Sequence, residues 1–214
     1  MARRPDGRPR FTHGLTTLDS VRLRAVHRTF CRRVLLTTGL NAGLVLALRS
    51  SMTASQGEQA AARLNEGDLL VRLNDTTSTP LMPGDIGAGA LPTPVWPMDP
   101  VDRSVRSGQR FNQLLLVRLD PGLLAPATRA RAVDGIVAYT SVCTHSGCDV
   151  DDWLAGQQLL SCSCHSSVFD PKDGGRVVDG PAPRALPALP LKVVDGKLAV
   201  AGPFTARVGF EPGA

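Results

Sequence analysis

Short runs of apolar residues, each bounded by residues that favour turns, recur along the chain from about residue 64. The clearest are DLLVRL at 68–73, QLLLVRL at 113–119 and IVAYTSV at 136–142. Runs of this length are too brief for helices and are typical of strands. Nearer the C-terminus, LKVVDGKLAVAG at 191–202 has two alternating segments around Asp195-Gly196, a pair that tolerates the positive φ angles of a tight turn. The pattern therefore predicts an all-β domain with a C-terminal hairpin.

The segment from Pro80 to Pro100 interrupts this pattern because it is rich in proline and glycine. It predicts a wrapped loop or an insertion that faces a partner. The chain of 214 residues holds 17 Pro and 21 Gly and is only 4% aromatic, which favours a loop-rich β fold over a helical bundle. No internal repeat or low-complexity tract is visible, so we predict one β domain over residues 63–214.

An apolar stretch at residues 34–48 directly follows the pair Arg32-Arg33. About fifteen mostly apolar residues after basic ones match an export signal better than a stable membrane span, which needs roughly 20. The segment TFCRRVLLTTGLNAGLVLAL resembles a twin-arginine signal, although Cys31 stands where serine or threonine is common. Residues 1–62 are therefore predicted to be an Arg-rich leader and linker that directs export to the periplasm. The apolar stretch is either a cleaved signal or a retained anchor helix, and a buried amphipathic helix is the alternative.

Charge is distributed unevenly along the chain. The net charge is +5, but residues 1–33 alone hold nine Arg and two Asp, which leaves 15 basic and 17 acidic residues in the rest. A nucleic-acid surface needs Lys and Arg clustered on the folded domain itself. We therefore predict no nucleic-acid partner.

Two short motifs concentrate most of the cysteines: CTHSGC at 143–148 and CSCHSS at 162–167. Each offers one thiolate and one imidazole at loop spacing, C-x-H and C-x-x-H. Two such loops can build a tetrahedral Cys₂His₂ zinc site, or a centre in which two thiolates hold one iron and two imidazoles hold the other. Zinc modules usually pair cysteine with cysteine and histidine with histidine and have no use for an extra cysteine in each loop. The pattern therefore favours the iron–sulfur centre.

At these residues the chain resembles the Rieske family, whose motifs read C-T-H-x-G-C and C-x-C-H-x-S. The resemblance covers about residues 134–210. It implies an antiparallel β-sandwich or barrel with an inserted cluster-binding subdomain at about 141–184, and one [2Fe–2S] cluster per chain. The implied iron ligands are Cys143 and Cys162 on one iron and His145 and His165 on the other, and the implied disulfide joins Cys148 to Cys164.

The resemblance also assigns residues around the cluster. Gly180-Pro181-Ala182-Pro183 matches the proline loop that covers the cluster in this family. Ser167 takes the position of a serine whose hydroxyl bonds to a cluster sulfur, whereas Phe169 replaces a tyrosine that provides a second hydroxyl. Ser146 stands where quinol-oxidising members commonly have leucine. These departures resemble the small subunit of arsenite oxidase more than the Rieske subunit of a quinol–cytochrome c reductase, which stays the alternative.

The implied function is one-electron transfer as the iron–sulfur subunit of an exported oxidoreductase, with no catalytic residue of its own. The implied partners are a larger catalytic redox subunit or a cytochrome b, and a soluble acceptor such as a c-type cytochrome. The acidic run at Asp149, Asp151 and Asp152 is interpreted as a solvated turn, with docking of a basic partner as the alternative. A metal-stabilised binding module without redox activity is the competing class.

Overall fold

A computed structural model describes residues 63–211, which form two antiparallel sheets. The predicted all-β fold is confirmed, because the described helices are one short α-helix, α1 (Pro126–Arg129), and three 3₁₀ turns at Pro83–Asp85, Arg110–Asn112 and Pro121–Leu123. The strands are β1 (Leu69–Arg72), β2 (Thr93–Met98), β3 (Leu114–Arg118), β4 (Ile136–Thr140), β5 (Asp152–Leu154), β6 (Leu159–Cys162), β7 (Ser167–Asp170), β8 (Arg176–Asp179), β9 (Ala188–Leu189), β10 (Leu191–Val194) and β11 (Lys197–Val200).

The larger sheet has seven strands in the order β10-β11-β1-β2-β3-β4-β9, and the smaller one has the order β5-β6-β7-β8. The apolar runs predicted as strands become β1, β3 and β4, and the C-terminal pattern becomes the β10–β11 hairpin. At its turn, Asp195 and Gly196 have φ angles of 49° and 77°, the positive values that a two-residue turn of this kind needs.

The prediction of a loop throughout residues 80–100 is wrong for its second half, where β2 lies between β1 and β3. Proline removes a hydrogen-bond donor and usually argues against a central strand. Here the proline carbonyls still accept bonds: Pro94 O from Leu73 N at 3.0 Å, and Pro97 O from Arg106 N at 2.9 Å. Burial of Val95 and Met98 then outweighs the two missing donors.

Strands β3 and β4 are covered on both faces, which explains their nearly continuous apolar sequences. Leu114 and Leu116 face one core with the β1 and β11 side chains, whereas Leu115 and Val117 face a second core. Tyr139 of β4 is fully buried in that second core, and its hydroxyl donates to Pro171 O at 2.9 Å. The second core lies beneath the smaller sheet. Because alternate side chains of β3 and β4 face this core, the two strands fix the location of the smaller sheet and of the loops that it carries.

A buried ion triad fastens the N-terminal end of the described chain to the loop after β2. The Arg106 guanidinium donates to Asp68 at 2.7 and 3.1 Å and to Asp99 at 2.9 Å. The side chains of Arg106 and Asp68 are only 6% and 2% exposed. The hydrogen bond to Asp68 is the main reason why the pKa of Arg106 is raised.

None of the helices within residues 63–211 has the length and apolar character that crossing a bilayer requires. The predicted signal or anchor at residues 34–48 lies outside the described residues.

Candidate metal centre

The first motif forms a closed loop, residues 143–148, directly after β4. An isolated antiparallel bridge between Val142 and Asp149 closes its base. Inside, Cys143 N donates to Cys148 O at 2.8 Å, and Gly147 N donates back to Cys143 O at 3.1 Å. These two backbone bonds fix the loop, so that Cys143 is buried at its base while His145 is half-buried nearer the tip.

The second motif, residues 162–167, is the turn of the β6–β7 hairpin. Cys162 ends β6 and pairs in register with Ser167, which begins β7. The bond from Ser166 N to Cys162 O, at 3.0 Å, tightens the turn. As in the first loop, the leading cysteine is buried while the histidine, His165, is exposed.

A disulfide between Cys148 and Cys164 joins the two loops, whose Cα atoms at these positions are 6.4 Å apart. The imidazoles of His145 and His165 come together edge to face, with ring centroids 4.7 Å apart. A ring nitrogen of His165 lies within 4.8 Å of both disulfide sulfurs. The structure therefore brings the two histidines predicted as ligands to one place, beside the cysteine pair predicted to be bonded.

Cys143 and Cys162 are free thiols with only 1% exposure each. Burial raises the pKa of Cys162, and the adjacent Cys143 raises it further, whereas backbone N–H groups of Cys164 and His165 act in the opposite direction. Metal binding requires thiolates, so a bound cation would reverse the raised pKa of Cys162.

The proline segment, residues 180–183, lies against the second loop. A Cβ on Gly180, which has φ of +83°, would stand 2.5 Å from Ser167 Cα and closer still to Ser166 O. Pro181 and Pro183 are exposed, whereas Ala182 between them is buried in the same core as Cys143 and Cys162. The backbone of the segment therefore packs directly on the turn that carries His165.

Phe169 is fully buried in the core beneath the loops. Compared with a tyrosine at this position, it lacks only the hydroxyl. Ser167 is also fully buried. Sequence reasoning missed Thr144, which is buried between the two candidate ligands of the first loop and donates to Arg184 O at 2.7 Å. Its place in the first motif, between Cys143 and His145, is the sequence feature that could have identified it. This bond ties the first loop to the chain just after the proline segment.

Ser166 occupies a left-handed conformation, with φ of 59°. For a residue other than glycine this conformation costs about 1–2 kcal/mol, while glycine has more entropy to lose on folding, about 0.4–1 kcal/mol. Ser166→Gly is therefore expected to raise the free energy of unfolding by about 0.5–1 kcal/mol. Urea unfolding with the disulfide intact measures this change, and a lower midpoint for the variant would contradict it.

Comparison with known proteins gives a consistent result. The Rieske [2Fe-2S] domain family matches residues 111–190. The cytochrome bc1 complex Rieske iron-sulfur subunit of Streptomyces lividans is 36% identical over 149 residues, which are 68% of this chain and 86% of that protein. The putative respiratory nitrate reductase subunit Rieske of Haloferax mediterranei is 44% identical over 106 residues, 49% of this chain and 47% of that protein.

Among solved structures, the soluble domain of the Rieske protein II (soxF) from Sulfolobus acidocaldarius is 28% identical, with a TM-score of 0.38. That match covers 47% of this chain and 66% of the other. The chain thus spans most of the Streptomyces relative but about half of the Haloferax protein.

Two loops that each present one cysteine and one histidine above a small antiparallel sheet fit an iron–sulfur centre with mixed thiolate and imidazole ligands. The chain belongs to the Rieske family, as the extent of its match to the Streptomyces relative shows. The resemblance seen in the two motifs is therefore confirmed, and the cofactor of the family is a Rieske-type [2Fe–2S] cluster.

The residues of the two loops fit such a cluster. Besides the two free thiols, His145 Nδ1 and Ser167 Oγ are buried atoms without a hydrogen-bond partner among residues 63–211. Buried polar atoms in native proteins nearly always have one. A cluster supplies what these atoms lack, because iron takes nitrogen and thiolate ligands while a sulfide accepts a hydrogen bond from a hydroxyl.

Proposed function

We propose that this protein carries one electron at a time on a Rieske cluster held by Cys143 and Cys162 on one iron and by His145 and His165 on the other. The observation that carries the proposal is the convergence of two buried free thiols and two touching imidazoles on adjacent loops. We assign the cluster-binding subdomain to residues 141–184 within a domain at 63–214.

The bound cluster supplies the one-electron redox chemistry, and the chain supplies its surroundings. The apolar core around Cys143 and Cys162 excludes water from the thiolate side. The disulfide holds the two loops together, and the Thr144 bond ties the first loop to Arg184; both contacts limit rearrangement of the loops. Each imidazole that would hold iron has a second ring nitrogen left to carry a proton, and at the exposed His165 this nitrogen would let reduction of a bound cluster be coupled to proton uptake.

The relatives favour an iron–sulfur subunit of a cytochrome bc1-type, quinol-oxidising complex as the setting for this carrier. The second candidate is a subunit like the small subunit of arsenite oxidase, and the replacement of tyrosine by Phe169 and of leucine by Ser146 favours it. The corresponding partners are a cytochrome b or a larger molybdenum-containing subunit, with a c-type cytochrome as acceptor. Purification of the protein under mild conditions, followed by identification of the large subunit that accompanies it, distinguishes the two.

Export by a twin-arginine leader is part of the same proposal. That route carries proteins folded with their cofactor, and it delivers the chain to a compartment where the Cys148–Cys164 disulfide persists. Residues 34–48 then either leave with the signal or anchor the domain on the periplasmic face of the membrane.

A redox titration of the purified protein, followed by electron paramagnetic resonance and repeated at several pH values, tests the central proposal. We expect a Rieske-type signal in the reduced state and a potential that falls as the pH rises. Zinc in place of iron and sulfide, with no signal, would contradict the electron-carrier function and favour the metal-stabilised binding module.

The buried hydroxyl of Ser167 gives a sharper prediction. A hydrogen bond to cluster sulfur stabilises the reduced, more negative state, so Ser167→Ala is expected to lower the reduction potential by about 40 mV, equivalent to about 1 kcal/mol for one electron. Phe169→Tyr, which adds a hydroxyl at the second position, is expected to raise the potential. Redox titration of both variants measures the two shifts in potential, which should have opposite signs. Shifts in the same direction would contradict hydrogen bonding from these two positions to the cluster.

A further inference from the structure

A groove of about 460 Å³ runs along the side of the candidate metal centre, between two segments that are distant in sequence. One wall is the acidic run 149–152. The other includes Leu91 and Pro92, which belong to the Pro/Gly-rich connection whose role the sequence left open. We refer to this cavity as the acidic groove. The fold therefore combines two unassigned sequence features into one surface beside the cluster loops.

The acidic wall carries exposed carboxylates of Asp149, Asp151 and Asp152, and among residues 63–211 no Lys or Arg side chain lines the groove. Asp149 is paired with Arg110 at 2.7 Å, which offsets one charge. Asp151 accepts bonds from the backbone N–H and hydroxyl of Ser163, at 3.0 and 2.7 Å, and these bonds lower its pKa. The wall is therefore negatively charged at neutral pH.

One residue that lines the groove has a buried hydroxyl without a partner among the described residues. Ser141 lines the groove and is 1% exposed, and its Oγ makes no hydrogen bond within the described structure. Its backbone is fully engaged, since Ser141 N donates to Gln113 O at 3.0 Å and Val150 N donates to Ser141 O at 2.8 Å. A buried hydroxyl left unpaired costs about 1–3 kcal/mol. The carboxylates of the acidic wall, in contrast, are exposed and can accept hydrogen bonds from a ligand with N–H donors.

The opposite wall is apolar and open. Leu91 is 73% exposed, and Leu73, Pro92 and Pro94 line the groove beside it. Lysine and arginine side chains combine an apolar stem with a charged head, and they lay the stem along apolar surface while the head reaches polar groups. The acidic groove therefore has the two surfaces that such a side chain requires, facing each other.

The groove is connected to the cluster loops by one residue. Ser163, which bonds to Asp151, stands between Cys162 and Cys164 in the second loop. A group bound at the acidic wall is thus one side chain away from the loop that carries a proposed cluster ligand. Docking at this position would bring a redox partner close to the electron carrier.

We propose that the acidic groove is the docking surface for a basic electron-transfer protein, which inserts a Lys or Arg side chain between the acidic wall and Leu91. This inference rests on the proposed electron-carrier function, because it assigns the partner class that exchanges electrons with the cluster. Complementary charge mainly speeds association, by 10- to 1,000-fold in steered encounters.

The test uses the full-length protein with its cluster, reduced and then mixed rapidly with a lysine-rich c-type cytochrome at low and high ionic strength. The double substitution Asp151→Asn/Asp152→Asn is expected to slow oxidation about tenfold at low salt and to weaken the salt dependence. The control Asp134→Asn/Asp195→Asn removes the same charge at two Asp-Gly turns outside the groove and is expected to leave the rate within about twofold. A small uncharged cobalt chelate as oxidant is expected to react equally with all three proteins.

A second variant keeps the test independent of Asp151, whose hydrogen bonds support the second loop. Leu91→Lys at an exposed position supplies the groove with its own ammonium group, so it is expected to slow the basic cytochrome while the small oxidant is unaffected. Equal rates for the groove and control variants, with the paramagnetic signal intact, would overturn the docking proposal alone. A concentration-dependent dimer that the groove variants abolish would overturn it in favour of a second copy as occupant. A wild-type protein without the signal would overturn the electron-carrier function itself.

Discussion

Replacing Gly180 with alanine is expected to lower the free energy of unfolding by about 2–5 kcal/mol, which combines an unfavourable positive φ with a steric overlap. The added Cβ would meet backbone atoms of Ser166 and Ser167, and backbone cannot rotate away as a side chain can. The proline segment must therefore move off the second loop. We expect cluster absorbance to be lost faster in Gly180→Ala, because the turn that carries His165 loses its cover.

Gly67→Ala is the matched control for this effect. Gly67 also has a positive φ, +90°, but within the described part of the chain a Cβ there would meet no atom within 4 Å apart from its two chain neighbours. Its substitution is expected to cost only the conformational part, about 1 kcal/mol, and to leave the rate of cluster loss unchanged. Urea unfolding and the decay of cluster absorbance measure the two quantities. Equal losses of stability in the two variants would show that the contact at Gly180 contributes nothing.

Replacing Arg106 with methionine is expected to destabilise the protein by about 3–5 kcal/mol, because it leaves the carboxylate of Asp68 buried without its partner. The loss should be partly recovered in Arg106→Met/Asp68→Asn, which removes the charge as well. Thermal unfolding of both variants checks the sign of this coupling. A double variant less stable than Arg106→Met would contradict it.

The exposed ion pair between Arg176 and Asp173 offers the comparison for Arg106. Its side chains are 59% and 54% exposed, so solvent screens the interaction. Arg176→Met is expected to change the free energy of unfolding by less than about 1 kcal/mol. Both substitutions remove one guanidinium, but Arg106 is buried and bonds to two carboxylates, whereas Arg176 is exposed and bonds to one.

The part of this protein that the sequence reveals most directly is local. Both candidate metal-binding motifs are contiguous, so the spacing of Cys143 to His145 and of Cys162 to His165 is fixed by the chain itself. The β10–β11 hairpin is predicted from Asp195-Gly196 for the same reason, because a two-residue turn determines the register of the strands beside it. The strands β1, β3 and β4 are predicted from short apolar runs, because such a run favours a buried strand whichever strand it pairs with.

Elements whose stability depends on distant residues were harder to predict. Strand β2 contains Pro94 and Pro97, which disfavour a strand locally, and only the carbonyl bonds to Leu73 and Arg106 and the burial of Val95 reverse that preference. The strands of the smaller sheet were not predicted for a related reason. They are short, and their pairing depends on the hairpin that holds the second motif.

The amino-acid sequence by itself determined the groups available for chemistry: two cysteines and two histidines as candidate ligands, and an extra cysteine pair, in loops of defined length. Only the tertiary structure decided the surroundings of that chemistry. It set the left-handed conformation of Ser166, the contact of Gly180 with the second loop and the unpartnered hydroxyls of Ser141 and Ser167. It also placed the Pro/Gly-rich connection opposite the acidic run. Motifs are local because covalent spacing fixes them, whereas surfaces and burial arise from packing between segments that are far apart in the chain.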